Sequence, residues 1–213
     1  MKQEKQSNRE RILSEALTLF AAKGYEPVTV AEIAEAVGIK APSLYNHYKS
    51  KQAIFEAIIA EMETRYEKQT AAMQMNGLEA SKDQSLFMNI SEEQLIETGK
   101  GLFLYFLHDE YMSKFRKMLM NEQHSNKELA ALYAKRYIDD PISYQTMLFG
   151  MLVESGVLIS ENPRVMAVHF YTPIFALLTS CDCYPEREPE AIELIEQHIR
   201  QFNRLYKKQS EES

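Results

Sequence analysis

Residues 29–48 read TVAEIAEAVGIKAPSLYNHY, and the way this stretch divides decides the fold. Thr29 with Glu32 three residues on is a capping box, in which two side chains satisfy the free N–H groups of a first helical turn. Val30, Ile33, Ala34 and Val37 follow at i, i+3, i+4 and i+7, one apolar stripe along a short helix. Gly38 stops that helix. Pro42 opens a second one near its first turn, where a missing N–H costs nothing. This second helix offers only Leu44 and part of Tyr48 to a core. Its remaining residues, Ser43, Tyr45, Asn46 and His47, are hydrogen-bonding groups. Two short helices joined by a glycine turn make a helix-turn-helix, whose second helix enters the major groove in proteins that bind DNA. The same pattern also fits a helical hairpin whose tyrosines only cap their own core.

Upstream, Ile12, Leu13, Ala16, Leu17, Leu19 and Phe20 recur at helical spacing between Ser7 and Ala22. Gly24 is expected to end this helix in the left-handed conformation. Charge is distributed unevenly along the chain. The net charge is −7, yet the first 51 residues hold eight Lys/Arg against six Asp/Glu, a net of +2, and the rest carries −9. A mildly basic head on an acidic body suits a small anionic contact surface, because the local field outweighs the sum.

The segment from Arg11 to Phe55 resembles the DNA-binding head of the TetR (tetracycline-repressor) family of bacterial transcription regulators. The resemblance runs through Ala16, Phe20, Gly24, Tyr25, Thr29, Ile33, Ala34, Val37, Gly38, Leu44, Tyr45, His47, Tyr48, Lys51 and Phe55, about a fifth of the 213 residues. It implies a homodimer that binds a palindromic operator in double-stranded DNA and represses transcription until a small-molecule inducer releases it. By position it implies that Thr29 holds a phosphate and that Ser43, Tyr45, Asn46 and His47 line the groove. Lys51, at the start of the next helix, would take another phosphate, which the helix dipole there favours. Lys49 stands on the same side. The sequence departs from the family pattern twice. Lys40 stands where many members have a Ser or Thr N-cap, and is expected to contact a phosphate instead. Tyr48 replaces the commoner Phe.

Downstream, the pattern is helical throughout. A long helix is expected from Ser50 or Lys51 to about Ala72, and the polar stretch 76–85 is expected to break the pattern. SEEQ at 91–94 is another capping box. Further helical blocks are expected at about 110–122, 126–138, 143–157, 163–180 and 189–207, with breaks at 108–109, 126, 139–141, 162–163 and 184–185. In the last block Ile192, Ile195, Ile199, Phe202 and Tyr206 recur at 3-4-3-4 spacing, a coiled-coil-like seam. The preceding block is apolar nearly all round, with Pro173 inside it as an expected kink. Phe170, Ile174, Leu177, Ile192, Ile195, Ile199 and Phe202 are therefore candidates for a dimer interface, as the resemblance implies. A purely intramolecular bundle fits the same spacing. Tyr105, Phe115, Met118, Tyr133, Tyr137, Met147, Met151 and Phe170 are candidates for an apolar ligand pocket, since Met and aromatic side chains fill irregular volumes. Arg116 or Arg136 would favour an acidic ligand if turned inward.

Composition excludes several other classes. Apolar residues at 45% and charged residues at 26% are globular values, and seven Gly and seven Pro are few breakers. Cys181 and Cys183 cannot close a tetrahedral metal site and are expected to be free thiols in a reducing compartment. The N-terminal MKQEKQSNRE has no apolar leader core, and no run approaches the ~20 apolar residues of a membrane helix. No phosphate loop, nucleophile elbow or HExxH motif occurs, and the five histidines show no ligand spacing. His108 in LHDE falls at a helix end, where capping accounts for it. The expectation is an all-α protein of about nine helices, with a helix-turn-helix DNA-binding domain at 1–51 and a ligand-binding and dimerisation domain at 52–213. No enzymatic activity, cofactor or metal is expected, and the location is cytoplasmic. A DNA-binding structural protein of the nucleoid type, with the same head and no inducer, is the alternative.

Overall fold

The computed structural model describes residues 7–208. Among these there are eleven α-helices and no strand, only one isolated bridge between Leu158 and Lys207. The chain folds as two compact units. One joins the residues up to Tyr66 with Glu110–Tyr133, and the other joins Glu67–Asp109 with the chain from Ala134 onward. This is a division by packing, whereas the boundary expected at residue 51 is one of role.

In the first unit α1 (Asn8–Lys23), α2 (Val30–Val37) and α3 (Ala41–His47) precede the N-terminal part of α4 (Lys51–Ala72), and α7 (Glu110–Glu122) and α8 (Lys127–Ala134) complete it. Both expected local starts form: Ser7 caps α1 and Thr29 caps α2, each with a reciprocal capping box. Phe20, Tyr25, Phe55 and Phe115 form a chain of ring contacts at 5.0–6.4 Å. Edge and offset arrangements of this kind add to the stabilisation from burial. Gly24 departs from expectation. Its φ of 86° and ψ of 163° lie outside the left-handed helical region, in a conformation only glycine adopts readily. The reason is tertiary. The buried carboxylate of Glu122 accepts the Tyr25 N–H at 2.7 Å and the Ser125 hydroxyl at 2.9 Å. A Cβ on Gly24 would stand 2.6 Å from Glu122 Oε1.

The second unit holds the C-terminal part of α4, α5 (Ala80–Asn89), α6 (Glu92–His108), α9 (Asp140–Glu154) with the π-helical turn before it, α10 (Pro163–Cys183) and α11 (Glu188–Tyr206). Two expected breaks are replaced by helix. Within the polar stretch 76–85, α5 begins at Ala80 because Asp83 turns inward. Its carboxylate accepts the N–H groups of Asn76 and Gly77 at 2.7 Å each and the Tyr144 hydroxyl at 2.6 Å. At 139–141 helix continues through a π turn, Lys135–Asp139. Pro141 has no N–H for the carbonyl four residues back, and Tyr171 donates its hydroxyl to that Tyr137 carbonyl at 2.7 Å.

The seam on α11 also differs from expectation. Ile195, Ile199 and Phe202 are not available to a second copy, because all three are buried in their own chain. Ile195 and Ile199 pack against Ile96 and Phe103 of α6, and Phe202 packs against Phe149. Ion pairs of Lys100 with Glu196 and of Arg200 with Glu92, the latter at 2.7 Å, fix α11 on α6. Phe170, Ile174, Leu177 and Ile192 remain half-buried. Pro173 lies inside α10, and His198 of α11 donates Nε2–H to the neighbouring Phe170 carbonyl at 2.9 Å. α10 is the one helix among the described residues long and apolar enough to cross a membrane by length and composition, longer than the sequence runs suggested. Only 22% of its most apolar window is buried.

Candidate nucleic-acid interface

α2 and α3 are built by local chemistry and set by three longer contacts. The Thr29 hydroxyl accepts the Glu32 N–H at 3.2 Å and donates to Glu32 Oε2 at 3.0 Å. Hydrogen bonding from the Lys23 ammonium, 2.8 Å away, and then from the Thr29 N–H and hydroxyl holds the Glu32 carboxyl down at about 2. Gly38, at φ 77° and ψ 30°, takes the left-handed conformation, and its N–H closes on Ala34 and Glu35 carbonyls. Arg11 donates Nη2 to the Val37 carbonyl at 2.5 Å, filling the open end of α2.

Lys40 is the N-cap of α3 and makes no side-chain cap. None is needed. Pro42 has no N–H, and the Ser43 and Leu44 N–H groups reach the Lys40 carbonyl at 2.9 and 3.2 Å. Only the Lys40 and Ala41 N–H groups are left at this helix start, fewer than the four that an ordinary α-helix leaves. The Lys40 side chain is thus exposed and uncommitted among the described residues.

Leu44 and Tyr48 are the anchors of α3, both buried. Tyr45 is 45% exposed, Asn46 and His47 are exposed, and Ser43 is half-buried. The outward surface of α3 is therefore uncharged at neutral His and rich in hydrogen-bonding groups. Lys49 is exposed beyond the helix end and donates to the Tyr45 carbonyl at 3.1 Å.

Two of the expected phosphate ligands are otherwise engaged. The Thr29 hydroxyl proton points at Glu32, so an arriving phosphate would have to turn it away from a carboxylate. Lys51 is half-buried and donates to the Tyr25 and Glu26 carbonyls at 2.9 Å each, with its ammonium 4.3 Å from the Tyr25 ring centre. It clamps the α1–α2 turn onto the start of α4. Conversely, Arg9 was missed. Its Nε donates to the Tyr48 hydroxyl at 3.1 Å, which gives the tyrosine at this position a partner a phenylalanine would lack. The signal was present in the sequence. Arg9 and Arg11 sit in the first turns of α1, the end of a helix where the dipole disfavours cations.

The expected pocket residues are divided between the two units. Phe115, Met118 and Tyr133 are buried in the first unit, and Tyr105, Tyr137, Met151 and Phe170 belong to the second. Met147 is 57% exposed. Arg116 faces inward, fully buried in the first unit, while Arg136 is half-buried. Cys181 is buried and Cys183 exposed, both free, and burial pushes the Cys181 thiol up. No group of three or more His, Cys, Asp or Glu among the described residues is arranged to hold a metal.

The family model described as bacterial regulatory proteins, tetR family, matches residues 12–58. The biofilm operon icaADBC negative transcriptional regulator IcaR of Staphylococcus aureus is 46% identical over 48 residues, 22% of this chain. That match spans 26% of IcaR, so it concerns the head and little else. The HTH-type transcriptional regulator YdgC of Bacillus subtilis is 26% identical over 140 residues, 65% of this chain and 68% of its own. Among solved structures, the complex of SmeT with triclosan matches at a TM-score of 0.70 and 16% identity, over 96% of this chain and 94% of that one. SmeT is the repressor of the Stenotrophomonas maltophilia multidrug efflux pump SmeDEF. At this identity the likeness speaks for the fold.

Proposed function

Because the chain is a TetR-family transcriptional regulator, we propose that it acts as a dimeric repressor that a small molecule releases from a palindromic operator. The observation that carries this reading is the surface of α3. Leu44 and Tyr48 hold the helix from behind, and Tyr45, Asn46 and His47 are presented outward. Such side chains meet base edges, thymine methyls and phosphates in a major groove about 12 Å wide. In this reading residues 1–51 are the DNA-binding head, 52–213 serve ligand binding and dimerisation, and the protein works in the cytoplasm.

The largely uncovered apolar helix α10 supports dimerisation. Val165 (61% exposed) and Val168 stand out on α10, and Leu194 and Leu205 on α11. A soluble chain covers such a surface with a partner, and a second copy offers the same surface by symmetry. The dimer contacts thus move from the buried seam to these outward residues, with half-buried Phe170, Ile174, Leu177 and Ile192 beside them. Two recognition helices would then enter successive major grooves about 34–36 Å apart. The triclosan complex of SmeT suggests an apolar aromatic ligand here too. A coupling of about 1–3 kcal/mol between ligand and operator changes affinity roughly 5–150-fold.

Selection of bound sequences from a random duplex pool tests the reading. Enrichment of a palindrome is expected, and Tyr45→Ala should weaken binding to it about 5–150-fold per lost base contact while the protein stays dimeric. A pool that enriches nothing, or a Tyr45→Ala variant that binds the palindrome as wild type does, refutes it.

A further inference from the structure

We propose that Arg9, positioned by the Tyr48 hydroxyl, is a DNA-backbone phosphate site at the C-terminal end of the recognition helix; this rests on the DNA-binding reading above. Tyr48 is the C-cap of α3, directly after His47, and its ring is buried. Its hydroxyl accepts Arg9 Nε–H at 3.1 Å, and the guanidinium carbon lies 5.3 Å from the ring centre. Arg9 is exposed and has no other hydrogen-bond or ion-pair partner among the described residues.

The geometry of the guanidinium then matters. A bond made through Nε leaves the edge formed by the two Nη groups open, and that fork matches two phosphate oxygens at once. The side chain is also held at two points, by a hydrogen bond and by the ring, so less of its freedom remains to be lost on binding. Its location strengthens the case. In the first turn of α1 the helix dipole repels a cation, and the same field attracts an anion brought to it. The nearby Glu10 carboxylate is engaged by the Ser7 N–H at 2.8 Å in the capping box.

The charges around α3 fall into a pattern once Arg9 is included. The outward surface, Ser43, Tyr45, Asn46 and His47, carries no full charge at neutral His. Lys40 precedes the helix, and Lys49 and Arg9 flank its far end, all three exposed. An uncharged reading surface bracketed by cations fits a groove bracketed by two phosphate backbones. Lys51, engaged by two carbonyls, is not part of this bracket. Arg9 takes the place that Lys51 was expected to fill.

The test measures binding of a fluorescein-labelled duplex of random sequence by anisotropy, between 50 and 200 mM KCl. Each phosphate contact contributes about 0.9 to the slope of log affinity against log salt. Arg9→Ala should lower that slope by about 0.9 per head, so that its binding falls about 3.5-fold less than wild type's over this salt range for each head engaged. Lys82→Ala, a surface change on α5, should leave the slope alone. Tyr48→Phe keeps the charge and removes the hydroxyl. It should weaken binding at 50 mM KCl in the wild-type background and have no further effect in the Arg9→Ala background.

A merely structural Arg9 would lower affinity without moving the slope. An unchanged slope in Arg9→Ala, or additive losses in the double variant, overturns the assignment while leaving the DNA-binding reading intact. Wild-type protein with no salt-dependent affinity overturns both.

Discussion

Replacing Gly24 by alanine separates local strain from tertiary fit, because Gly38 provides a control with the same sign of φ. Gly38 sits at φ 77° and ψ 30°, and a Cβ there meets nothing within 4 Å. Gly38→Ala therefore incurs only the left-handed penalty, about 1–2 kcal/mol. Gly24 is at φ 86° and ψ 163°, where a side chain adds about 1–3 kcal/mol of backbone strain. Its Cβ would also stand 2.6 Å from Glu122 Oε1. Relief requires the carboxylate to retreat from the buried Tyr25 N–H it now meets at 2.7 Å, and leaving buried polar groups unsatisfied costs about 1–3 kcal/mol. Gly24→Ala is expected to lose about 2–6 kcal/mol in urea unfolding followed by circular dichroism, clearly more than Gly38→Ala. The clash component is isolated by a cycle with Glu122→Ala. The two changes should be less than additive by about 1–3 kcal/mol, because the second removes what the first collides with. Equal losses at the two glycines, or strict additivity with Glu122→Ala, would refute the account.

The Glu32 carboxyl, lowered from 4.5 to about 2 by Lys23 and Thr29, contributes stability that is present above its unfolded value and lost as the pH falls toward its folded one. The melting temperature of wild type should therefore exceed that of Glu32→Gln at neutral pH, and the gap should close as the pH drops from 4.5 toward 2; a gap that persists at the acid end contradicts the pairing. Val165→Asp, on the exposed face of α10, should convert the dimer to a monomer by light scattering with little change in melting temperature. Ile195→Asp, at a fully buried position, should instead abolish cooperative unfolding, since it places an unpaired charge in the core. A dimeric Val165→Asp would remove the support that α10 gives to dimerisation.

The helix-turn-helix was legible because its decisive interactions span few residues. Thr29 and Glu32 are three apart, and the bonds that close Gly38 on Ala34 and Glu35 are of similar reach. Stripe spacing likewise located α1 and α2 to within a residue or two, the long helix expected to about Ala72 is α4, and the capping box at 91–94 opens α6. The face that α3 presents followed from how little of it could serve a core. What those outward side chains hold on to was less legible. Lys51 was read as a phosphate ligand by position, and the structure shows that carbonyls 25 and 26 residues back in the chain take two of its three ammonium donors.

The elements that sequence alone misplaced all depend on partners far along the chain. The polar stretch 76–85 contains a helix because Tyr144, 61 residues from Asp83, helps satisfy a buried carboxylate. Helix continues past Pro141 while Tyr171, 34 residues from Tyr137, supplies a hydrogen bond that proline cannot. Spacing on α11 showed that a stripe exists but not what covers it, since an apolar seam facing its own chain looks the same as one facing a twin. Burial against α6 settled that for Ile195 and Ile199. Arg9 and Tyr48 meet across 39 residues. Hydrogen bonds within a turn are written into neighbouring residues, so the sequence by itself determined helix starts, stops and stripes. Partners across the fold are chosen by packing, and only the tertiary structure decided which charges and apolar faces remain free to meet anything else.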